Sequence, residues 1–210
     1  MIEVRALDKA IKGRTILSNI SFEIKSGECV ALIGPNGAGK TTLMSCLLGD
    51  RKATKGQVLL DGLAPRAQSN KEKVAVLPQE NAIPTDLKVK ELLHFFQAIY
   101  KDSLTDVEID SLLCFSPEQK NQLAGKLSGG QKRLLAFVIC LIGKPKLLFL
   151  DEPTAGMDTS TRQRFWEIVH DLKEKGVTIF YTSHYIEEVE HTAERILVLH
   201  QGRLLRDTTP

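Results

Sequence analysis

The sequence predicts an α/β fold: a mostly parallel sheet covered by helices, with an antiparallel β region at the amino terminus and an α-helical subdomain inserted near the middle. Three observations carry this. Short β-rich runs alternate with helix-forming stretches. The alternation breaks once, between about Thr85 and Gly143, where helical periodicity continues with no strand between. One β-rich run leads straight into a glycine-rich loop and then a helix. With 210 residues, 42% apolar and 26% charged, the chain can bury a core and suits one domain. Its expected division is an α/β core over 1–84 and 144–210 and a helical subdomain over 85–143.

Ile2–Leu7 and Ile16–Ile24 flank a turn at Lys12-Gly13 and suit antiparallel edge strands. Cys29–Ile33 (CVALI) reads as a buried strand, and Leu43–Leu48 as the body of the helix after the glycine loop. Val58–Leu60 and Val74–Leu77 continue the strands. Val89–Tyr100, Thr105–Phe115 and Ser116–Leu123 then read as successive helices opened by caps or a proline, and Lys132–Ile142 as another. Within the first of these, Phe95, Phe96 and Tyr100 at i, i+1, i+5 read as helix core. Leu147–Leu150, Val177–Tyr181 and Ile196–Leu199 complete the parallel strands, and His200-Gln201-Gly202-Arg203 makes a late hairpin turn.

Composition narrows the partners. Lys and Arg number 28 against 26 acids, a formal charge of +2, so no general electrostatic force draws the chain to nucleic acid, and no nucleic-acid partner is expected. The longest apolar stretch, Leu134 to Gly143, is half of the roughly 20 residues needed to cross a bilayer. The first residues carry no signal-peptide core, so a soluble, unexported chain is expected. Cys29, Cys46, Cys114 and Cys140 are widely spaced among apolar neighbours and read as reduced core residues rather than a disulfide or zinc framework.

After the strand CVALI come Gly34, Pro35, Asn36, Gly37, Ala38 and Gly39, then Lys40, Thr41 and Thr42. Strand, G-x-x-x-x-G-K-[ST] and helix occur in the order a P-loop requires. Glycines let backbone N–H groups curl around phosphate oxygens, the helix start adds partial positive charge, Lys40 reaches the β- and γ-phosphates, and Thr41 can ligate Mg²⁺. A guanine-reading N-K-x-D is absent: Asn70-Lys71-Glu72-Lys73 ends in Lys within a charged, surface-like stretch.

The apolar run Leu147–Leu150 is followed at once by Asp151 and Glu152, two carboxylates at the carboxyl end of a doubly buried strand, where ligands of open parallel sheets bind. Asp151 is placed to hold Mg²⁺, directly or through water. Glu152 is placed to act as general base on the attacking water. Gln79 and His184 each follow a further strand; on the residues alone, each suits a structural role as well as a catalytic one. Leu127-Ser128-Gly129-Gly130-Gln131 precedes a helical run and offers a second anion-binding helix start, though the same residues would serve as an ordinary N-cap. Two such helix starts with one set of carboxylates point to a site shared between two chains.

Taken together, G-P-N-G-A-G-K-T-T, Gln79, L-S-G-G-Q, L-L-F-L-D-E-P, Asp158 and His184 resemble the Walker A, Q-loop, signature, Walker B, D-loop and switch-histidine motifs of ABC ATPases. The resemblance covers essentially the whole chain and implies a P-loop NTPase core that binds ATP and Mg²⁺, with Thr41, Gln79 and Asp151 as metal donors. It also implies two subunits packed head to tail, as a homodimer or a heterodimer with a second ABC ATPase. Ser128 and Gly130 of one would contact the γ-phosphate held on Lys40 of the other, with Asp158 linking the two sites. Glu152, His184 and Gln79 would serve the nucleotide of their own chain. One departure concerns adenine: the family's usual aromatic aligns with Ile11, which keeps apolar contact but forgoes about 1–3 kcal/mol of stacking.

The resemblance further implies a motor on the cytoplasmic face of a membrane, attached through a separate transmembrane permease subunit. Leu87–Tyr100 and Lys132-Arg133 are similar to single-domain ATPases of bacterial ABC-2-type exporters, which favours export over the alternatives of an importer ATPase or a soluble ABC ATPase. The long coiled coils or zinc modules usual in relatives that act on DNA are missing from the sequence, as are the paired ATPase halves of those that act on ribosomes.

Overall fold

The structure, a computed structural model, describes residues 1–80 and 83–210. Strands β1 (Ile2–Ile11) and β2 (Arg14–Ile24) form the expected hairpin, turning through Lys12 (φ 49°) and Gly13 (φ 78°), a backbone path that matches the twist of paired strands. On the other side of β1 lies β4 (Lys55–Leu60), with Val58 opposite Val4, so this run joins the small antiparallel sheet β2-β1-β4 and not the parallel one.

The second sheet has the order β5-β6-β7-β3-β8-β9. Its members β3 (Cys29–Ile33), β5 (Val74–Leu77), β6 (Leu147–Asp151), β7 (Thr178–Ser183) and β8 (Arg195–His200) run parallel. The last strand, β9 (Arg203–Thr208), returns antiparallel to β8 through Gln201-Gly202. Side chains of the central strands divide between two cores. Ala31, Leu148, Leu150, Ile179 and Tyr181 face one; Val30, Leu32, Phe149, Phe180 and Leu197 face the other. The period of two explains why these strands read as unbroken apolar runs: both faces are covered.

Helix α1 (Lys40–Leu47) packs in the core shared with the antiparallel sheet. Between β5 and β6 come α2 (Val89–Ile99), α3 (Asp106–Leu113), α4 (Pro117–Asn121) and α5 (Gly129–Leu141), with no strand among the described residues of that stretch. Thr105, Ser116 and Ser128 are N-caps of the last three, each in a capping box with Glu108, Gln119 or Gln131. Beyond β6 lie α6 (Thr159–Glu174) and α7 (Ile186–Thr192). Phe137 of α5 and Phe165 of α6 meet at 4.3 Å between ring centroids, tying the inserted helices to the α/β body.

Several expectations are corrected. The helix after the glycine loop begins at Lys40 rather than Leu43, because Gly39 in the left-handed region (φ 109°) turns directly into it. The signature helix begins at Gly129 rather than Lys132, its first turn closed by the Ser128 cap. Phe95 is 60% exposed: the buried stripe of α2 is Val89, Leu92 and Leu93, with Phe96 half-buried one turn on, and Phe95 falls off that stripe. Cys114 is exposed at the left-handed end of α3, whereas Cys29 and Cys46 are buried and Cys140 half-buried. Asn70 is not a surface residue; it is 2% exposed and its amide donates to the Ala64 carbonyl at 3.1 Å.

Candidate active site

The strand order β5-β6-β7-β3 brings four carboxyl ends side by side, and each delivers one part of the site. From β3 the chain enters the glycine loop. A Cβ on Gly34 would lie 2.1 Å from the Leu199 carbonyl oxygen, so only glycine fits there. Lys40 is buried, and its Nζ donates to the carbonyls of Gly34 (2.7 Å) and Pro35 (3.4 Å), which places the ammonium inside the curl of the loop. Pro35, Asn36, Gly37 and Thr41 are exposed and Thr42 is half-buried, while Ala38 packs in the core.

At the end of β6, Asp151 is 8% exposed and its Oδ1 accepts from the Thr182 hydroxyl at 2.5 Å. That same hydroxyl oxygen accepts from the Glu152 N–H at 2.9 Å. Glu152 has φ 45°, a left-handed conformation unusual for a glutamate and one found where surrounding contacts enforce it. Its carboxylate is met from both sides. Gln79 Nε2, just past β5, donates to Oε2 at 3.1 Å, and His184 Nδ1, just past β7, lies 3.5 Å from Oε1. The two residues that sequence alone left open thus converge on one carboxylate. His184 also packs on Tyr185, whose ring carries the Arg162 guanidinium at 5.5 Å.

The signature turn sits at the start of α5. Ser128 Oγ accepts from the Gln131 N–H (3.1 Å), and the Gln131 amide oxygen accepts from the Ser128 N–H (3.0 Å). Leu127 is buried, and Gly130 packs against Met157 and Asp158: a Cβ there would stand 3.3 Å from Asp158 Oδ2. Asp158 caps α6. The Thr161 N–H, and then the hydroxyls of Ser160 and Thr161, hold its carboxyl well below the usual carboxylate range. Among the described residues, no hydrogen bond joins Ser128–Gln131 to the glycine loop of the same chain. Ile11 ends β1 opposite Arg14, and Ile16 and Leu17 of the same hairpin lie beside Gly39 of the glycine loop.

Three contributors escaped the sequence reading. Thr182 lies just past the expected strand Val177–Tyr181 and carries no signal of its own until its pairing opposite Asp151 is known. Glu188 accepts from Trp166 Nε1 (2.5 Å), Thr154 Oγ1 (3.1 Å) and Ser183 Oγ (3.4 Å), pinning the loop after Glu152 to the strand that carries His184. Arg133 is buried and donates to the backbone carbonyls of Asp151 and Pro153, on either side of Glu152, and of Pro78, just before Gln79. A separate cavity of about 800 Å³ lies at the opposite, amino-terminal end of the sheet, between Leu147, Ile168 and Leu172, and has no glycine-loop residue in its wall.

A family model described as ABC transporter matches residues 17–155. The chain belongs to the ABC transporter ATPase family. Among its relatives, the Nod factor export ATP-binding protein I of Burkholderia orbicola is 35% identical over all of this chain and 71% of its own length. The protein of that name from a Rhizobium species (strain N33) is 34% identical over the same shares. A bacterial Atm1-family ABC exporter solved with ATP bound has a TM-score of 0.85 at 26% identity, over 99% of this chain and 38% of that one. An ATP-binding cassette solved as a dimer in a post-hydrolysis state with ADP and Pi also gives 0.85, at 23% identity, over 100% and 98% of the two chains, and shares the fold. ABC ATPases bind ATP and work as dimers with membrane transporter subunits, which is the frame for the site described above.

Proposed function

We propose that this chain is the ATP-hydrolysing motor subunit of an ABC exporter, closing as a dimer on two ATP molecules and driving a separate membrane-spanning permease on the cytoplasmic face. The observation that carries the reading is the meeting of Gln79 and His184 on the two oxygens of Glu152, one residue beyond Asp151 and at the same sheet end as the glycine loop. ATP is the substrate. Glycine-loop N–H groups and Lys40 hold its β- and γ-phosphates, and Ile11 is the apolar residue assigned to the base. Glu152 takes the proton from water as the water oxygen bonds to the γ-phosphorus; the bond to the bridging oxygen breaks and ADP leaves. His184 orients Glu152 and the γ-phosphate, and Gln79 holds the other carboxylate oxygen.

Residues of the right kind for Mg²⁺ are present. That ion takes a few hard oxygens and keeps several waters. The Thr41 hydroxyl, the Asp151 carboxylate and the Gln79 amide oxygen are donors of that class, and Asp151 Oδ2 is clear of hydrogen bonds among the described residues while Thr182 fixes Oδ1. When bound, the ion would supply charge neutralisation on the phosphate oxygens.

The second half of each site would be Leu127, Ser128, Gly129, Gly130 and Gln131 of the partner subunit, a homodimer mate or a second ABC ATPase. Gly130 on Asp158 would link that half to the D-loop of its own chain. Residues 85–143 would move as the helical subdomain, with exposed Phe95 and Ile99 on α2 offering apolar surface to the permease. Export is favoured by the relatives named as export ATP-binding proteins, at 35% identity over the whole chain. No helix among the described residues is long and apolar enough to cross a membrane. The test is phosphate release from Mg-ATP by the purified chain, alone and with its permease; no release above background in either case would sink the proposal.

A further inference from the structure

We infer that Arg133 is a positioning residue that ties the start of the signature helix to the Gln79 loop and the Glu152 strand end and holds those two segments in the relative place from which Gln79 and Glu152 act. The inference rests on the shared-site reading above. Arg133 is the fifth residue of α5 and is 2% exposed. Its Nε donates to the Pro153 carbonyl at 2.9 Å. Nη2 donates to the carbonyls of Asp151 (2.8 Å) and Glu152 (3.3 Å), and Nη1 to that of Pro78.

All of these acceptors are main-chain oxygens. They lie on two separate segments, one immediately before Gln79 and one running through Asp151 and Glu152. A planar guanidinium presents five donors in fixed directions, so it sets the relative position of both segments and not merely their proximity. It thereby fixes the backbone from which the Gln79 and Glu152 side chains project. Glu152 needs this: its left-handed backbone is held by Thr182 at the N–H and by Arg133 at the carbonyl.

Packing does not account for a charge here. Leu134, Leu135, Phe137 and Val138 show that the surrounding core accepts apolar side chains. A buried cation is retained only against desolvation, and apolar replacements of buried charges are often neutral or stabilising. Arg133 also shares its helix with Gly130, which packs on Met157 and Asp158. One rigid element therefore touches the signature turn, the D-loop, the Gln79 loop and Glu152.

The experiment compares Arg133→Lys, which keeps charge without the fork, and Arg133→Gln, which keeps two N–H groups without charge. It reads thermal melting, ATP affinity, steady-state phosphate release and, in a Glu152→Gln background, ATP-dependent dimer mass. The expected result is a folded protein with ATP affinity and KM within about twofold of the parent, dimers that still form, and kcat lowered about 10- to 100-fold, the scale of a small misplacement of a reacting group. The kcat losses of Arg133→Lys and Gln79→Ala should be less than multiplicative, since both act on one carboxylate. Unchanged kcat in a folded variant overturns the inference. So does a kcat loss that tracks lost ATP affinity or lost dimer, and so does failure of both variants to fold, each of which would make Arg133 a support of the fold only. A parent chain without turnover both alone and with its permease, or a Glu152→Gln protein that pairs with ATP neither with itself nor with a second ABC ATPase, would instead fail the shared-site reading and the inference with it.

Discussion

The hydroxyl of Thr182 stands 2.5 Å from Asp151 Oδ1 and, through the same oxygen, accepts the Glu152 N–H at 2.9 Å, so a single fully buried side chain fixes both acidic residues at the end of β6. Thr182→Val keeps the shape and removes both contacts. An unsatisfied buried donor or acceptor costs about 1–3 kcal/mol, and that is the loss of unfolding free energy expected in a denaturant titration. Turnover should fall further than stability accounts for, and Thr182→Ser should restore most of both. A valine variant with parental stability and kcat would show the hydroxyl to be incidental.

Glu152 is the residue on which Gln79 and His184 meet, so its replacement isolates the chemical step. Glu152→Gln keeps shape and hydrogen bonding but cannot accept the water's proton. Phosphate release should drop to near background while ATP affinity is retained. The variant's mass by light scattering should rise with Mg-ATP from about 23.3 kDa to twice that. Normal turnover would remove Glu152 from the base role.

Burial separates the four thiols. It pushes the Cys29 thiol up to about 12 and the Cys140 thiol to about 11, and raises that of Cys46, whereas Cys114 is exposed. A thiol whose folded pKa exceeds its unfolded value, near 9, stabilises the fold fully below that value and loses the contribution as pH climbs from about 9 towards 12. Stability should therefore decline on the alkaline side of that window. At neutral pH a thiol reagent should modify one cysteine of the native chain and four after denaturation. Rapid labelling of more than one native thiol would contradict the placement of Cys29, Cys46 and Cys140.

What could be read from the sequence was whatever local chemistry dictates. CVALI before the glycine loop and LLFL before Asp151 declare strands buried on both faces, and Ser128 declares a cap. Val58–Leu60 read as one more parallel strand because pairing partners are not written locally; its place beside β1 depends on a tertiary register. The roles of Thr182, Glu188 and Arg133 were hidden for the same reason, since each has a decisive partner 18 or more positions away: Asp151 for Thr182 and Arg133, Thr154 for Glu188. Phe95 reads as core by spacing, but of the two adjacent rings only Phe96 falls within the arc of Val89, Leu92 and Leu93, and spacing does not say which one turns outward.

The placement of Ser128 separates two readings of the L-S-G-G-Q turn. As a cap alone, Ser128 acts within α5, and its replacement costs about 1 kcal/mol of stability with nothing lost in pairing. As half of a shared site, it also faces the nucleotide of a second chain. Ser128→Arg places a long cation at that junction, while the glycine loop that binds this chain's own ATP carries no hydrogen bond to it among the described residues. ATP affinity of the monomer should be unchanged within about twofold, whereas in the Glu152→Gln background the ATP-dependent rise in mass should disappear. Ser128→Ala, which loses the cap but adds no bulk, should show the stability loss and retain most of the pairing. Dimers that form normally with arginine at this position would refute a nucleotide shared between the two chains.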